Sequence, residues 1–373
     1  MTRQFLERAK RIVIKIGTSV VTDHQELDEG IIGRIARDVA RIYSEHPGTS
    51  LALVTSGAIA AGMRILNLRS RPSSIEKLQA IAAVGQRSLM QIYDSAFSKQ
   101  GILTSQILLT WDDLGHRKRY QNTQKTLKEL LRYKALPIIN ENDTVATEEI
   151  QFGDNDQLSA MVAMLIEADL LIILSDANGL YADYKTGRSS RIPMVDDLDA
   201  SILQTVWDSK KVFSKGGMTS KLASIKKVMG AGIPCLLADG KEQRVLSRLM
   251  EGEDIGTLFM PRIKKVPSRK HWIAYVSKSA GTLVIDEGAE EAILKRGKSL
   301  LSKGITKVLG HFKPGDAILV QNKTSKVLGR GIVNFSSGEI EKIRGLNSKE
   351  WSESLGHPCM NEVMHRDNFV TVP

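Results

Sequence analysis

Cysteine is scarce: Cys235 and Cys359 are the only 2 in 373 residues. That is too few for a disulfide framework or a four-cysteine zinc site within one chain, and reduced thiols are the expected state. No apolar run approaches the ~20 residues that a membrane-spanning helix needs. The opening MTRQFLERAKRIVIKIG passes from a charged lead into a short strand, without the apolar core and small-residue cleavage site of a secretory signal. A cytoplasmic location is therefore expected. Several catalytic signatures are missing as well. The fragment Gly297-Lys298-Ser299 has Ala292 where a Walker A sequence requires its leading glycine, and no G-x-S-x-G elbow occurs. His357, Cys359 and His365 lack zinc-ligand spacing and read as surface residues of an irregular tail. No internal repeat or low-complexity tract stands out.

What is present is an ordinary globular composition, 42% hydrophobic and 25% charged, on a chain long enough for two domains. The net charge of +10 is unevenly placed. Residues 1–261 carry 33 Lys+Arg against 31 Asp+Glu, whereas residues 262–373 carry 19 against 11. This asymmetry marks a boundary. It leaves two readings of the tail open, a solvated lysine-rich surface or contact with a polyanion.

The runs RIVIKI, LALV, ILTSQILL, LPIIN, LLIILS and IPCLLA read as buried strands. Between them, Glu29 to Tyr43, Ile75 to Lys99, Tyr120 to Tyr133, Gln157 to Ile166 and Thr219 to Met229 have apolar residues at helical spacing. The alternation predicts an α/β fold: a three-layer αβα sandwich with a mostly parallel sheet and ligands beyond the carboxyl ends of its strands. After Gly240 the pattern decays. The expected organisation is a catalytic domain over residues 1–255, a charged, proline-containing linker over 256–271, and a mainly β module over 272–373. In that module WIAYVS, TLVID, DAILVQN and GRGIVNF read as strands around a helix containing EEAILKRG.

Five strand-end segments carry the candidate chemistry. In the first, Lys15 lies in RIVIKI and Gly17, Thr18 and Ser19 follow, so a close-approaching backbone and an ammonium group could meet a phosphate; a solvated lysine is the competing reading. In the second, Thr55, Ser56 and Gly57 open an Ala-rich helix, which suits an anion at the helix start or an ordinary serine cap with Gly and Ala chosen for close helix packing. The third is the densest. LPIINENDTVAT and FGDNDQLSA present Asn140, Glu141, Asn142, Asp143, Asp154, Asn155 and Asp156, suited to an α-amino group, a carboxylate and indirect placement of Mg²⁺. Turn formation accounts for some of these residues but not for all seven. In the fourth, Ser175 and Asp176 end LLIILSD. In the fifth, Gly216 and Gly217 precede a helix bearing Lys221, an arrangement that wraps a nucleotide phosphate or simply starts a helix.

KIGTS, VTSGAIAAG, AAVGQ, INENDTVAT, GDNDQLSA and GGMTSK, in this order, resemble the amino acid kinase superfamily. The tail from about Trp272, with IDEG, ILKRGKSLL, KGI and HRD, resembles a PUA domain. The resemblance implies ATP- and Mg²⁺-dependent phosphorylation of the side-chain carboxylate of L-glutamate to L-glutamyl 5-phosphate, the opening step of proline synthesis. Matched residue by residue, it implies catalytic roles for Lys15, Lys221 and Asp156. Glutamate falls to Ser56, Asp143 and Asn155 with Asn140 and Asp154. ATP falls to Lys15, Gly17, Ser175, Asp176 and the run Lys215, Gly216, Gly217, Met218, Thr219, Ser220 and Lys221, with Mg²⁺ held through ATP rather than by protein ligands. The family pattern Gly-Thr-Gly-Gly-Met is replaced here by Ser214-Lys215-Gly216-Gly217-Met218. Proline as a feedback inhibitor and assembly into dimers or tetramers are further implications. The remaining alternatives are a superfamily member acting on another acceptor, such as aspartate or acetylglutamate, and an RNA-binding protein working through the tail. A glutamate side chain, with a pKa of ~4.3, is already an anion at neutral pH. It needs no general base, so the lack of an evident catalytic histidine is no objection.

Overall fold

The Val-, Ile- and Leu-rich runs carry apolar residues on both strand faces, as strands covered from two sides must. The computed structural model describes residues 3–23, 26–146, 155–182, 190–198, 217–263, 265–276, 279–347, 350–356 and 360–371. Its chain divides into two compact units, Met1–Lys265 and Val266–Pro373.

In the first unit the strands are β1 (Arg11–Ile16), β2 (Thr22–Asp23), β3 (Glu26–Leu27), β4 (Ser50–Val54), β5 (Thr104–Leu109), β6 (Leu136–Glu141), β7 (Leu170–Ser175), β8 (Leu180–Ala182), β9 (Ser190–Ile192), β10 (Met194–Val195), β11 (Cys235–Asp239) and β12 (Thr257–Phe259). Two pairs, β2–β3 and β8–β9, form separate two-stranded ladders. The others build one sheet in the order β10-β12-β11-β7-β1-β4-β6-β5. From β11 to β5 all neighbours are parallel, so six strands point their carboxyl ends to one edge, and β12 pairs antiparallel with β11. Strand β12 lies inside the stretch 256–271 read from sequence as a linker. It is three residues long between Gly256 and Met260, too short to give a strand pattern, yet all three residues are buried in the sheet.

The helices are α1 (Thr18–Val21), α2 (Glu29–Glu45), α3 (Ala58–Ile65), α4 (Ile75–Ser98), α5 (Trp111–Gly115), α6 (Arg117–Arg132), α7 (Asn155–Leu165), α8 (Met218–Met229) and α9 (Val245–Met250). Starts follow local chemistry: Asp28 caps α2 by accepting from the Ile31 N–H at 2.9 Å, and Thr110 with Asp113 forms a capping box on α5. Strand alternation then assigns the faces. Ile12, Ile14 and Ile16 join a core with Ile31, Ile35 and Val39 of α2 and Leu89, Tyr93 and Phe97 of α4. Lys15, of opposite parity, faces the other side, where α7 is buried all round its circumference. Helices α3 and α4 meet backbone to backbone. A Cβ added at Gly62 would sit 1.9 Å from the Ile81 carbonyl oxygen, and one at Gly85 would sit 1.8 Å from that of Ala58.

The second unit is a five-stranded sheet of β13 (Gly281–Ile285), β14 (Ile305–Gly310), β15 (Ala317–Asn322), β16 (Val327–Ile332) and β17 (Phe369–Thr371), in the order β14-β13-β15-β16-β17. Its core centres on fully buried Trp351, whose ring meets Phe335 edge-on at 5.6 Å. WIAYVS departs from its strand reading, because Trp272–Val276 is a π-helical turn continuing from the Ser268–His271 helix. A short run of bulky residues has no periodicity that separates strand from buried helix. Among the described residues, no helix is long and apolar enough to cross a membrane.

Candidate active site

Lys15 is the fifth residue of β1, paired in register with Val54 and Ile173 in the middle of the sheet. Its side chain is 3% exposed and its Nζ lies 2.6 Å from Asp156 Oδ1. Lys221, in the first turn of α8, places its Nζ 3.3 Å from Asp156 Oδ2, with its side chain 12% exposed. Asp156 itself, the second residue of α7, is fully buried. One carboxylate thus gathers two ammonium groups from separate elements, a placement that a solvated lysine on an edge strand would not show. Gly17 follows β1 immediately. Its N–H donates to the Leu174 carbonyl at 3.0 Å, and a Cβ there would sit 3.2 Å from that oxygen and 3.6 Å from Lys15 Nζ.

Asn155, next to Asp156 at the start of α7, donates through Nδ2 to Ser56 Oγ at 2.9 Å, to Asn140 Oδ1 at 2.8 Å, and to the Thr55 carbonyl. Ser56 is set by Gly57, whose φ of +110° is a left-handed conformation that favours glycine and turns the chain from β4 into α3. Asn140 lies near the end of β6. Its Oδ1 also accepts from the Glu141 N–H at 2.9 Å, and its Nδ2 donates to Gln86 Oε1 at 2.8 Å. Thr55 is buried and its hydroxyl is hydrogen-bonded to Tyr93 OH at 2.7 Å. Asp143 follows β6 and is half-buried. Burial pushes its carboxyl up to about 6, against partial relief from Arg71.

Ser175 ends β7, opposite Asp239 of β11, and its hydroxyl accepts from the Ala177 N–H at 3.1 Å. Asp176 is exposed beside it. Gly217 caps α8 without a side-chain hydrogen bond, ahead of Met218, Thr219, Ser220 and Lys221. Asp154, Lys215 and Gly216 lie outside the described residues. Thr55 belongs to the second segment read from sequence, whereas Gln86, Tyr93 and Arg71 were not singled out there. For Gln86 the only signal was its place in AAVGQ.

Two open clefts lie away from this network. One of about 690 Å³ is lined by Arg37, Arg64 and Lys99 among residues of α2, α3 and α4. The other, of about 720 Å³, belongs to the second unit and is lined by Lys298, Lys303, His365 and Arg366 around Ile293 and Leu300.

Residues 10–239 match the amino acid kinase family, to which the chain belongs, and residues 281–355 match the PUA domain. Its similarity to glutamate 5-kinases runs the whole length of the chain. It is 43% identical over 372 residues to the glutamate 5-kinase of Syntrophotalea carbinolica, covering 99% of each chain. It is also 43% identical over 373 residues to the glutamate 5-kinase of Geobacter sp. strain M21, covering 99% of this chain and 100% of that one. Among solved structures, carbamate kinase from Giardia lamblia bound to AMP-PNP superposes with a TM-score of 0.50 at 15% identity, over 68% of this chain and 99% of that one. That likeness extends to the fold alone.

Proposed function

We propose that this protein transfers the γ-phosphoryl group of ATP to the side-chain carboxylate of L-glutamate, giving L-glutamyl 5-phosphate and ADP. The observation that carries the reading is the pair Lys15 and Lys221 held on Asp156 one residue from Asn155, in a chain that is 43% identical along its length to glutamate 5-kinases. A carboxylate oxygen of glutamate attacks the γ-phosphorus, a new P–O bond forms, and the bond to the β,γ-bridging oxygen breaks with its electrons leaving on ADP. No proton moves. The obstacle is repulsion between two anions, and preorganised ammonium groups and backbone N–H donors at strand ends and helix starts are suited to overcome it.

In this reading Lys15 and Lys221 bear on the transferring group and Asp156 holds them in place. Gly17, Ser175, Asp176 and the segment Lys215 to Lys221 receive the nucleotide. Ser56, Asn140, Asp143, Asp154 and Asn155 receive glutamate, with the Asp143 carboxylate suited to the α-ammonium. Ammonium groups converge on the site, a donor set suited to nucleotide phosphates, on which Mg²⁺ would neutralise charge at the transferring group.

The test is hydroxamate trapping. With Mg-ATP and hydroxylamine, purified protein should give the acyl hydroxamate from glutamate and not from aspartate, acetylglutamate or carbamate; equal or better yield from one of those would overturn the assignment. The same reading includes a cytoplasmic location, inhibition by proline and self-association into dimers or tetramers. Proline added to the assay and light scattering test the latter two. The basic cleft of the second unit favours one additional reading, binding of structured RNA, for which salt-sensitive retention of RNA by the full chain is the measurement.

A further inference from the structure

Gln86 lies outside every set of site residues discussed for this chain, yet it fixes the direction of the amide chain that ends at Asn155. It is placed by Gly85: the contact of α3 with α4 there has no room for a side chain, and the next residue of α4 is carried to β6. The polarity of the chain starts from a donor that cannot be reversed. The Glu141 backbone N–H donates to Asn140 Oδ1 at 2.9 Å, which identifies the oxygen end of that amide. Asn140 Nδ2 therefore points to Gln86, whose Oε1 accepts it at 2.8 Å. The same Asn140 oxygen accepts from Asn155 Nδ2, whose hydrogens also serve Ser56 and the Thr55 carbonyl. The nitrogen end of Asn155 is thereby committed to protein acceptors, and its carbonyl oxygen is the end available to a ligand.

The other end of the Gln86 amide carries a cost: among the described residues its Nε2 is buried and has no hydrogen-bond partner, an arrangement proteins generally avoid. Rotating the amide would free that nitrogen only by setting it against the Asn140 amide nitrogen, donor against donor. The side chain keeps its acceptor on Asn140 and leaves its own donor unmet. Asn140 is only 3% exposed, so without Gln86 its Nδ2 would itself be an orphan and the amide would be free to turn.

We propose that Gln86 is a positioning residue for the acceptor substrate: by accepting from Asn140 it locks the Asn140–Asn155 amide chain so that the Asn155 carbonyl oxygen meets the substrate's α-ammonium. The inference rests on the assignment of Asn155 to glutamate made above. Because Gln86 acts through Asn155, a double-mutant cycle separates it from a general packing effect.

The experiment is steady-state hydroxamate kinetics on the full chain, titrating glutamate and ATP separately, for wild type, Gln86→Leu, Gln86→Glu, Asn155→Ala and the Gln86→Leu/Asn155→Ala double variant. Loss of one buried hydrogen bond corresponds to a rise of ~10-fold in KM for glutamate for Gln86→Leu, with KM for ATP held within ~2-fold. Gln86→Glu retains an acceptor for Asn140 and should recover most of that loss. In the Asn155→Ala background, Gln86→Leu should add less than ~2-fold. The proposal is overturned if Gln86→Leu shifts both KM values together, if Gln86→Glu is as impaired as Gln86→Leu, or if the full factor persists without Asn155. Should Gln86→Leu not fold, Gln86→Met takes its place in the same comparisons. A wild type that makes no glutamate hydroxamate overturns the parent assignment, whereas an active wild type with an indistinguishable Gln86→Leu variant overturns this inference alone.

Discussion

Asp156→Asn keeps the shape of the group that gathers Lys15 and Lys221 and removes only its charge. At 2.6 and 3.3 Å, with an effective dielectric of about 20, the gross attractions are about 6 and about 5 kcal/mol. Much of this is offset by taking three charges out of water, so the net worth of the intact cluster is far smaller than the sum. The substitution does not return that desolvation, because both lysines stay where they were. Removing one partner from a buried ion cluster costs about 3–5 kcal/mol, and that is the loss of unfolding free energy expected at pH 7.

Ligand rescue distinguishes this from a packing defect. A polyphosphate replaces the missing anion, so the rise in stability on adding Mg-ATP should exceed that of wild type. Urea unfolding at pH 7, with and without Mg-ATP, measures both effects. A loss under about 1 kcal/mol, with an ATP-induced rise no larger than that of wild type, would refute the electrostatic account of the cluster.

Lys15→Ala and Lys221→Ala should each lower turnover ~10²-fold or more with the fold retained, the scale for removing one preorganised donor; near-normal turnover in both purified variants excludes them from the chemistry. Asp143 has a carboxyl pushed up to about 6 by burial. If its carboxylate holds the α-ammonium, KM for glutamate should climb roughly tenfold per pH unit below about 6, and Asp143→Asn should show a high KM without that slope. For stability the sign is opposite. Its folded pKa lies above the unfolded value of 3.8, so its contribution is full below that value and is lost as pH rises through about 6. Gly85→Ala drives a Cβ to 1.8 Å from the Ala58 carbonyl oxygen, and should cost ~1–3 kcal/mol or more in denaturant unfolding while disturbing glutamate binding through the adjacent Gln86.

The α/β architecture was legible because its six parallel strands are apolar-rich runs and its helices carry regular periodicity, and both signals are local. Lys15 illustrates what local signals leave open. In RIVIKI it could belong to an exposed edge or a buried centre, and only the sheet order, with β7 on one side and β4 on the other, puts it in the middle. Its partner Asp156 was visible as a member of a dense polar segment, but the convergence of Lys221 on the same carboxylate depends on α7 packing beside α8, a contact between residues 65 positions apart. WIAYVS and β12 failed for a related reason, since runs of three to six residues take their state from what they pack against rather than from their own pattern.

Gln86 marks the deeper limit. Glutamine in a helix is unremarkable by propensity, and its role exists only because two glycine-bearing helices cross at van der Waals contact and a strand ends beneath them. Of the glycines that make the crossing possible, Gly62 lay in VTSGAIAAG, where close helix packing was the alternative to an anion site, and Gly85 lay in AAVGQ, which carried only the family resemblance. In the structure Gly62 and Gly85 set a distance between backbones, and that distance decides which side chain reaches Asn140. Substrate geometry in this fold is thus set partly by residues with no ligand contact of their own, which is why a residue-by-residue transfer of site positions from relatives passes over them.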